Sequence, residues 1–210
     1  MGFGSVNNEG RNLANLLRQN ALAGGLALLC LLLALAGPEV TRALRFDWSL
    51  IQSGEWWRLV SGHLVHLGWS HTLMNVAALL LMSVLFGSQL SNWRWTMLLL
   101  LTAVCVSIGL VWFGPPLDWY VGLSGVLHGM FAAGVVTAWK TRPGESLILG
   151  SGLAAKLVYE FTQGALPGSE TTAGGPVIVE AHLYGAIGGL IVAVALLLNS
   201  IYRSAPRSEV

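Results

Sequence analysis

Six stretches of the chain are apolar almost without interruption, at residues 21–36, 72–87, 95–113, 119–139, 146–161 and 181–201, and most charged residues collect between them. Runs of this length that are apolar on every face are the signature of helices solvated by lipid, because each must bury its backbone polar groups in its own hydrogen-bond ladder. The pattern predicts an all-α fold, a bundle of six membrane-spanning helices. Several runs fall short of the ~20 residues of a perpendicular crossing, so they extend into polar flanks or sit where the bilayer thins. The first run has the look of a signal peptide, but Gly37-Pro38-Glu39 is a poor cleavage site and further spans follow, so it reads as a retained helix.

Composition agrees with this pattern. The 210 residues are 54% hydrophobic and 10% charged, with a mean hydropathy of +0.66, which is more apolar surface than one soluble core hides. A net charge of +1 without clustered basic residues argues against a nucleic-acid partner. Cys30 and Cys105 lie mid-run and read as small hydrophobes, not as a disulfide or metal pair. The expected organisation is an N-terminal segment at 1–20, a single six-helix membrane domain at 21–201 and a tail at 202–210. With six spans, Arg11, Arg18, Arg94, Lys140, Arg142, Arg203 and Arg207 share one side, which makes that side and both termini cytoplasmic.

The first loop on the opposite side carries Trp48, Trp56, Trp57 and Trp69, whose amphipathic rings favour the headgroup zone. In that loop Arg58 reads as an anchor, His66 as an ordering residue and His63 as facing water or headgroups. Residues 164–175, rich in Gly, Pro, Ser and Thr, suit a flexible cap between the fifth and sixth spans.

The second, fourth and sixth spans all run inward from the external side, and each carries its unusual polar residues in its first turns. His71 and Asn75 share a face of the second span, Ser124 and His128 a face of the fourth, and His182 opens the sixth. Gly125 with Gly129, and Gly185 with Gly189, form two Gly-xxx-Gly pairs that let the fourth and sixth spans nearly touch. Gly185 and Gly189 share the face of His182, so close packing there aims its imidazole at Ser124.

A serine hydroxyl becomes a competent nucleophile when a histidine takes its proton, so this pair reads as a catalytic dyad. His71, the Asn75 amide and the backbone N–H of Leu123 or Ser124 are candidate donors to a developing oxyanion. No carboxylate stands at a spacing that obviously orients His182, so a complete triad is not expected. His128, one turn from Ser124, is expected to stack on His182 or bond to it. Lys156 and Glu160 are expected to pair on one face of the fifth span, with Glu160 also a candidate contact for a substrate tail. His63, His66 and His71 lack helical pair spacing and a nearby cysteine, so no metal and no cofactor is expected.

Trp57-Arg58, His66, His71 and Asn75, then Gly122-Leu123-Ser124-Gly125, then Ala181-His182 with Gly185 and Gly189, together resemble the rhomboid family of intramembrane serine proteases over residues 57–189. The resemblance implies a six-helix rhomboid-like bundle with Ser124 as nucleophile, His182 as base and His71 with Asn75 as oxyanion donors. His128 departs from the pattern, because many bacterial members carry a tyrosine that stacks on the base. Ser124-Gly125-Val126-Leu127-His128-Gly129, Tyr159-Glu160 and Glu180-Ala181-His182-Leu183-Tyr184-Gly185 look most like the rhombosortase branch. That branch implies processing, at the periplasmic face of a Gram-negative inner membrane, of exported proteins with a Gly-Gly tail, one hydrophobic helix and basic residues. Two other classes compete: a rhomboid-like protein that binds membrane helices without turnover, and a transporter with a histidine-lined route. The transporter requires polar residues at all depths, whereas the fourth and sixth spans become apolar toward the cytoplasm.

Overall fold

The structure, a computed structural model, describes residues 20–204. The expected terminal segments, apart from Asn20 and residues 202–204, lie outside the described residues, as do Arg11, Arg18 and Arg207 of the charge asymmetry.

Each predicted span coincides with a helix. They are α1 (Asn20–Leu35), α5 (Trp69–Phe86), α6 (Asn92–Phe113), α7 (Ser124–Ala138), α8 (Pro143–Gln163) and α10 (Val179–Ser204). Four short helices fill the connections: α2 (Pro38–Leu44), α3 (Trp48–Gln52), α4 (Arg58–Ser61) and α9 (Ser169–Ala173). Among the described residues α5, α6 and α10 are long and apolar enough to cross a membrane, and α1 with α2 makes a fourth candidate if the pair, bent by 119°, counts as one span. The bend falls at Gly37, whose φ of +88° and following proline stop α1. α7 is apolar but has only 15 residues, and α8 has 21 but carries Glu145, Lys156 and Glu160.

The fourth span begins later than the sequence predicts. Trp119–Tyr120 is a strand, β2, paired antiparallel with β1 (Phe46–Asp47) in the register Phe46 with Tyr120 and Asp47 with Trp119. Apolar strand residues and apolar helix residues read alike over so short a run. Asp47 also caps α3, accepting from Leu50 N–H, and binds Arg45 at 2.9 Å. The Arg58 guanidinium is buried and donates to Glu55, Arg42 O and Arg45 O, so it anchors the first loop as expected. His63 corrects the sequence reading: it is 1% exposed, and its Nε2 lies 3.0 Å from Ser107 Oγ of α6.

Leu79, Leu98, Val106, Val126 and Ala133 are fully enclosed, while Val84, Trp112, Phe113 and Ile191 stand outward. A molecule that is apolar on both its inner and outer surfaces has lipid as its solvent. At the bundle's centre α10 and α7 meet backbone to backbone. A Cβ on Gly125 would lie 2.7 Å from Ala181 O, one on Gly129 would lie 2.6 Å from Gly185 O, and Gly185 and Gly189 meet the carbonyls of Gly125 and Gly129 in return.

Candidate active site

α5, α7 and α10 all begin at the same end of the bundle, and α8 ends there. Their termini surround a cleft of about 240 Å³ lined by His71, Asn75, Ser124, His128, Glu160 and His182, with Leu166, Ser169, Ala173 and Val177 from the α8–α10 connection also on its wall. The expected cap is thus present, folded in part as α9 and fastened by a hydrogen bond from Ser70 Oγ to Thr172 O.

Ser124 is the first residue of α7 and half-buried. Two features hold it: the β1–β2 pairing fixes the chain just before it, and Gly122 N–H donates to Gly62 O at 3.1 Å. Gly122 has a φ of +123°, and a Cβ there would lie 2.8 Å from His71 Cε1. Both the backbone conformation and the closeness of the imidazole demand glycine.

His182 Nε2 lies 3.0 Å from Ser124 Oγ, across 58 residues of sequence. Its Nδ1 lies 2.9 Å from Glu160 Oε2. An ionised carboxylate only accepts, so Nδ1 carries the proton and Nε2 presents a lone pair to the serine hydroxyl. The expectation that no carboxylate reaches His182 is therefore not met. Glu160 is 4% exposed, and its other oxygen accepts from Lys156 Nζ at 2.6 Å, so the expected Lys156–Glu160 pair forms.

His128 stacks on His182 as expected, with centroids 4.1 Å apart and planes 15° apart. Its Nδ1 lies 2.7 Å from Ser124 O and donates to it. The ligand atoms of His128, Glu160 and His182 lie within 4.8 Å of one another. Lone pairs of parallel stacked rings lie in separate planes and do not converge on one ion, and the Lys156 ammonium already supplies the local positive charge.

His71 and Asn75 are buried on the facing wall. Leu67 N–H points at His71 Nδ1 at 3.5 Å, which leaves Nε2 as the protonated nitrogen, directed toward Gly122. His66 packs edge-on against the same ring at 5.0 Å, in keeping with its expected ordering role. Asn75 Nδ2 donates to His71 O at 3.0 Å with one of its two N–H groups. The α7 ladder starts at Leu127 N–H to Leu123 O, so the amides of Ser124 to Val126 have no partner within the helix.

Sequence spacing singled out the polar residues that α5, α7 and α10 bring to the cleft, His71, Asn75, Ser124, His128 and His182, but not the apolar Met74, Ala78 and Leu127 beside them. It missed the α8–α10 contact, which no spacing rule encodes because the two residues are 22 positions apart on different helices. The signal available was the carboxylate itself, since an acidic residue deep in an apolar helix requires a partner.

Residues 53–199 match the family profile described as "Rhomboid domain". The chain is 26% identical over 148 residues to the Rhomboid protease GluP of Bacillus subtilis (strain 168), a match covering 70% of this chain and 27% of that protein. It is 32% identical over 82 residues to the Putative rhomboid protease YdcA of the same organism, covering 39% of this chain and 41% of that protein. The chain thus matches about a quarter of the length of the first of these relatives and about two fifths of the second. The profile match covers most of the chain and coincides with its apolar helices: this is an integral membrane protein, and it belongs to the rhomboid family.

Proposed function

We propose that this protein is an intramembrane serine endopeptidase in which Ser124 is the nucleophile and His182 the general base. The observation that carries this reading is the 3.0 Å contact between His182 Nε2 and Ser124 Oγ. Two helices bring the groups together across a seam of glycines that fixes their separation.

In the first step His182 Nε2 takes the hydroxyl proton as Ser124 Oγ bonds to the scissile carbonyl carbon, and the carbonyl electron pair moves onto oxygen. His71 Nε2–H, the Asn75 amide and the backbone N–H of Leu123 or Ser124 meet that oxyanion; each preorganised donor contributes ~3 kcal/mol. The imidazolium then returns its proton to the leaving nitrogen as the C–N bond breaks, which leaves an acyl-serine. A water repeats the sequence: one proton passes to His182, the oxygen bonds to the acyl carbon, and Ser124 Oγ departs with the proton from His182. Gly122, Gly125, Gly185 and Gly189 support this machinery through backbone approach, and His128 steadies the imidazole ring.

The substrate of this reading is a membrane-anchored protein with a single hydrophobic helix. A largely apolar cleft of about 460 Å³ runs between α5, α7 and α8 beside the site and reaches His128 and Lys156, a route by which such a helix can reach Ser124 from the bilayer. The resemblance to rhombosortases narrows the reading to exported proteins with a Gly-Gly tail. Glycine weakens a helix by ~1 kcal/mol per residue, so a Gly-Gly pair unwinds at low cost into the extended form that a serine attacks.

In this reading six helices cross a bacterial inner membrane, with both termini cytoplasmic and the site toward the periplasm. The 15 residues of α7 are about 22 Å long against ~30 Å of hydrocarbon. With Lys140 and Arg142 at the cytoplasmic interface, Ser124 sits beneath the outer headgroups, and the polar starts of α5, α7 and α10 admit water.

The test is cleavage in proteoliposomes of a reporter carrying a Gly-Gly tail and one hydrophobic helix. Wild type is expected to release the reporter with a new C-terminus near the Gly-Gly pair, read by mass spectrometry, and Ser124→Ala to release none. Equal release by both overturns the reading. Binding of the reporter helix without cleavage by wild type favours a non-catalytic binder.

A further inference from the structure

We infer that Glu160 is a positioning residue, the third member of a Ser124–His182–Glu160 triad, and that it also shields the working imidazole from the ammonium of Lys156. The inference rests on the hydrolase reading above and deepens it.

Three ionisable groups meet at the end of α8. Glu160 Oε2 lies 2.9 Å from His182 Nδ1, Glu160 Oε1 lies 2.6 Å from Lys156 Nζ, and Lys156 Nζ lies 3.4 Å from His182 Nδ1. The first two contacts are donations to an acceptor. The third joins two donors, since Nδ1 carries its proton toward Glu160 and an ammonium has no lone pair. That approach is repulsive, and it is tolerated because each donor is bound to its own oxygen of one carboxylate. Glu160 and His182 are 4% and 6% exposed at the side chain, so water does little to screen the charges.

The consequence appears when Ser124 gives up its proton. The imidazolium then stands 3.4 Å from the lysine ammonium, and among the described residues the one negative charge in contact with both is the Glu160 carboxylate. Glu160 thus has two tasks: it fixes the tautomer and plane of His182, and it supplies the anion without which two cations would face each other. The remaining titratable groups near His182 are His128, stacked on it from α7, and His71 across the cleft on α5. Both stay in place when α8 is changed, but His128 also feels the charges of Lys156 and Glu160, so each variant is compared with the double variant and not with wild type alone.

A purely structural ion pair and a catalytic charge arrangement predict different results for Glu160→Gln, Lys156→Met and the double variant. The readout is the rate at which a fluorophosphonate labels Ser124 across pH, which needs no knowledge of the natural substrate. Glu160→Gln keeps the shape, removes the anion and leaves the ammonium. Its labelling rate is expected to fall by ~10³, in line with the ~10⁴ that an amide costs at the orienting acid of a triad, and its acid limb to move to lower pH by about one unit. Lys156→Met leaves Glu160 alone with the imidazole, and its acid limb is expected to move the opposite way. The double variant is expected to regain roughly ten-fold over Glu160→Gln, because the unopposed cation is gone.

Glu160→Asp, which keeps the charge but draws it back from Nδ1, is expected to fall between wild type and Glu160→Gln. Thermal melting in detergent accompanies every variant. The double variant buries no unpaired charge and is the one expected to stay folded if Glu160→Gln does not. Wild-type labelling that Glu160→Gln leaves unchanged overturns the proposal, as does a double variant slower than Glu160→Gln. Failure of wild type itself to be labelled overturns the hydrolase reading, and this inference with it.

Discussion

α10 has two neighbours at the site, and the contacts are of opposite kinds. Against α7 it presents glycines, and the contact is backbone on backbone with carbonyl oxygens at the closest points. Against α8 it presents His182, and the contact is three ionisable side chains within 3.4 Å of one another. The first sets the distance between Ser124 and His182, and the second sets the charge and tautomer of His182. A rigid seam without polar groups tolerates lipid around it, whereas a charged cluster needs the seam's rigidity to keep all its partners in reach.

The comparison breaks most completely at the seam. Gly185→Leu places a side chain where the Gly125 carbonyl lies, so α7 and α10 must separate. A 1 Å error between reacting groups costs ~10² in rate, and cleavage is expected to fall by more than that while the melting temperature drops. Unchanged cleavage would mean that the seam does not set the distance. His71→Ala leaves both neighbours of α10 in place and removes one proposed oxyanion donor. Its expected effect is ~10² on kcat, with little change in melting, and a change confined to KM would contradict the donor role.

The smallest effect belongs to an ion pair away from the site. Burial pushes the Asp47 carboxyl up, but the Arg45 guanidinium, the Ser49 hydroxyl and Leu50 N–H outweigh it and hold the group below its usual value. A lowered value in the folded state means that its stabilisation is complete above the unfolded carboxylate value of about 4 and is lost as pH falls through the folded one. Asp47→Asn is expected to remove that acid sensitivity from the melting temperature while leaving the rate at neutral pH within two-fold. A large loss of rate would tie the outer β-pairing to catalysis more closely than the contact with α8 is.

Much of this was legible in the sequence, for identifiable reasons. The positions of the helices follow from runs of apolarity, and the placement of His71, Asn75, Ser124, His128 and His182 follows from helical spacing at the starts of three helices that begin at the same end of the bundle. The glycine seam follows from two Gly-xxx-Gly pairs. The role of Glu160 was not legible, because its spacing to Lys156 already offered a satisfied pair and nothing local pointed across to α10. The start of α7 at Ser124 instead of Trp119 was hidden because residues 119–123 read as apolar as a helix, although Trp119 and Tyr120 pair with β1. His63 was assigned to the surface by its place in a loop, while the fold lays that loop over Ser107 of α6.

The central claim is that Ser124 reacts because His182 takes its proton. Peptide mapping by mass spectrometry after fluorophosphonate treatment tests it most directly. The expected result is a single phosphonyl adduct on Ser124 in wild type that disappears in His182→Ala, with the folded state of that variant verified by melting. An adduct on Ser124 that forms equally fast without His182, or one that maps to another serine, would contradict the account.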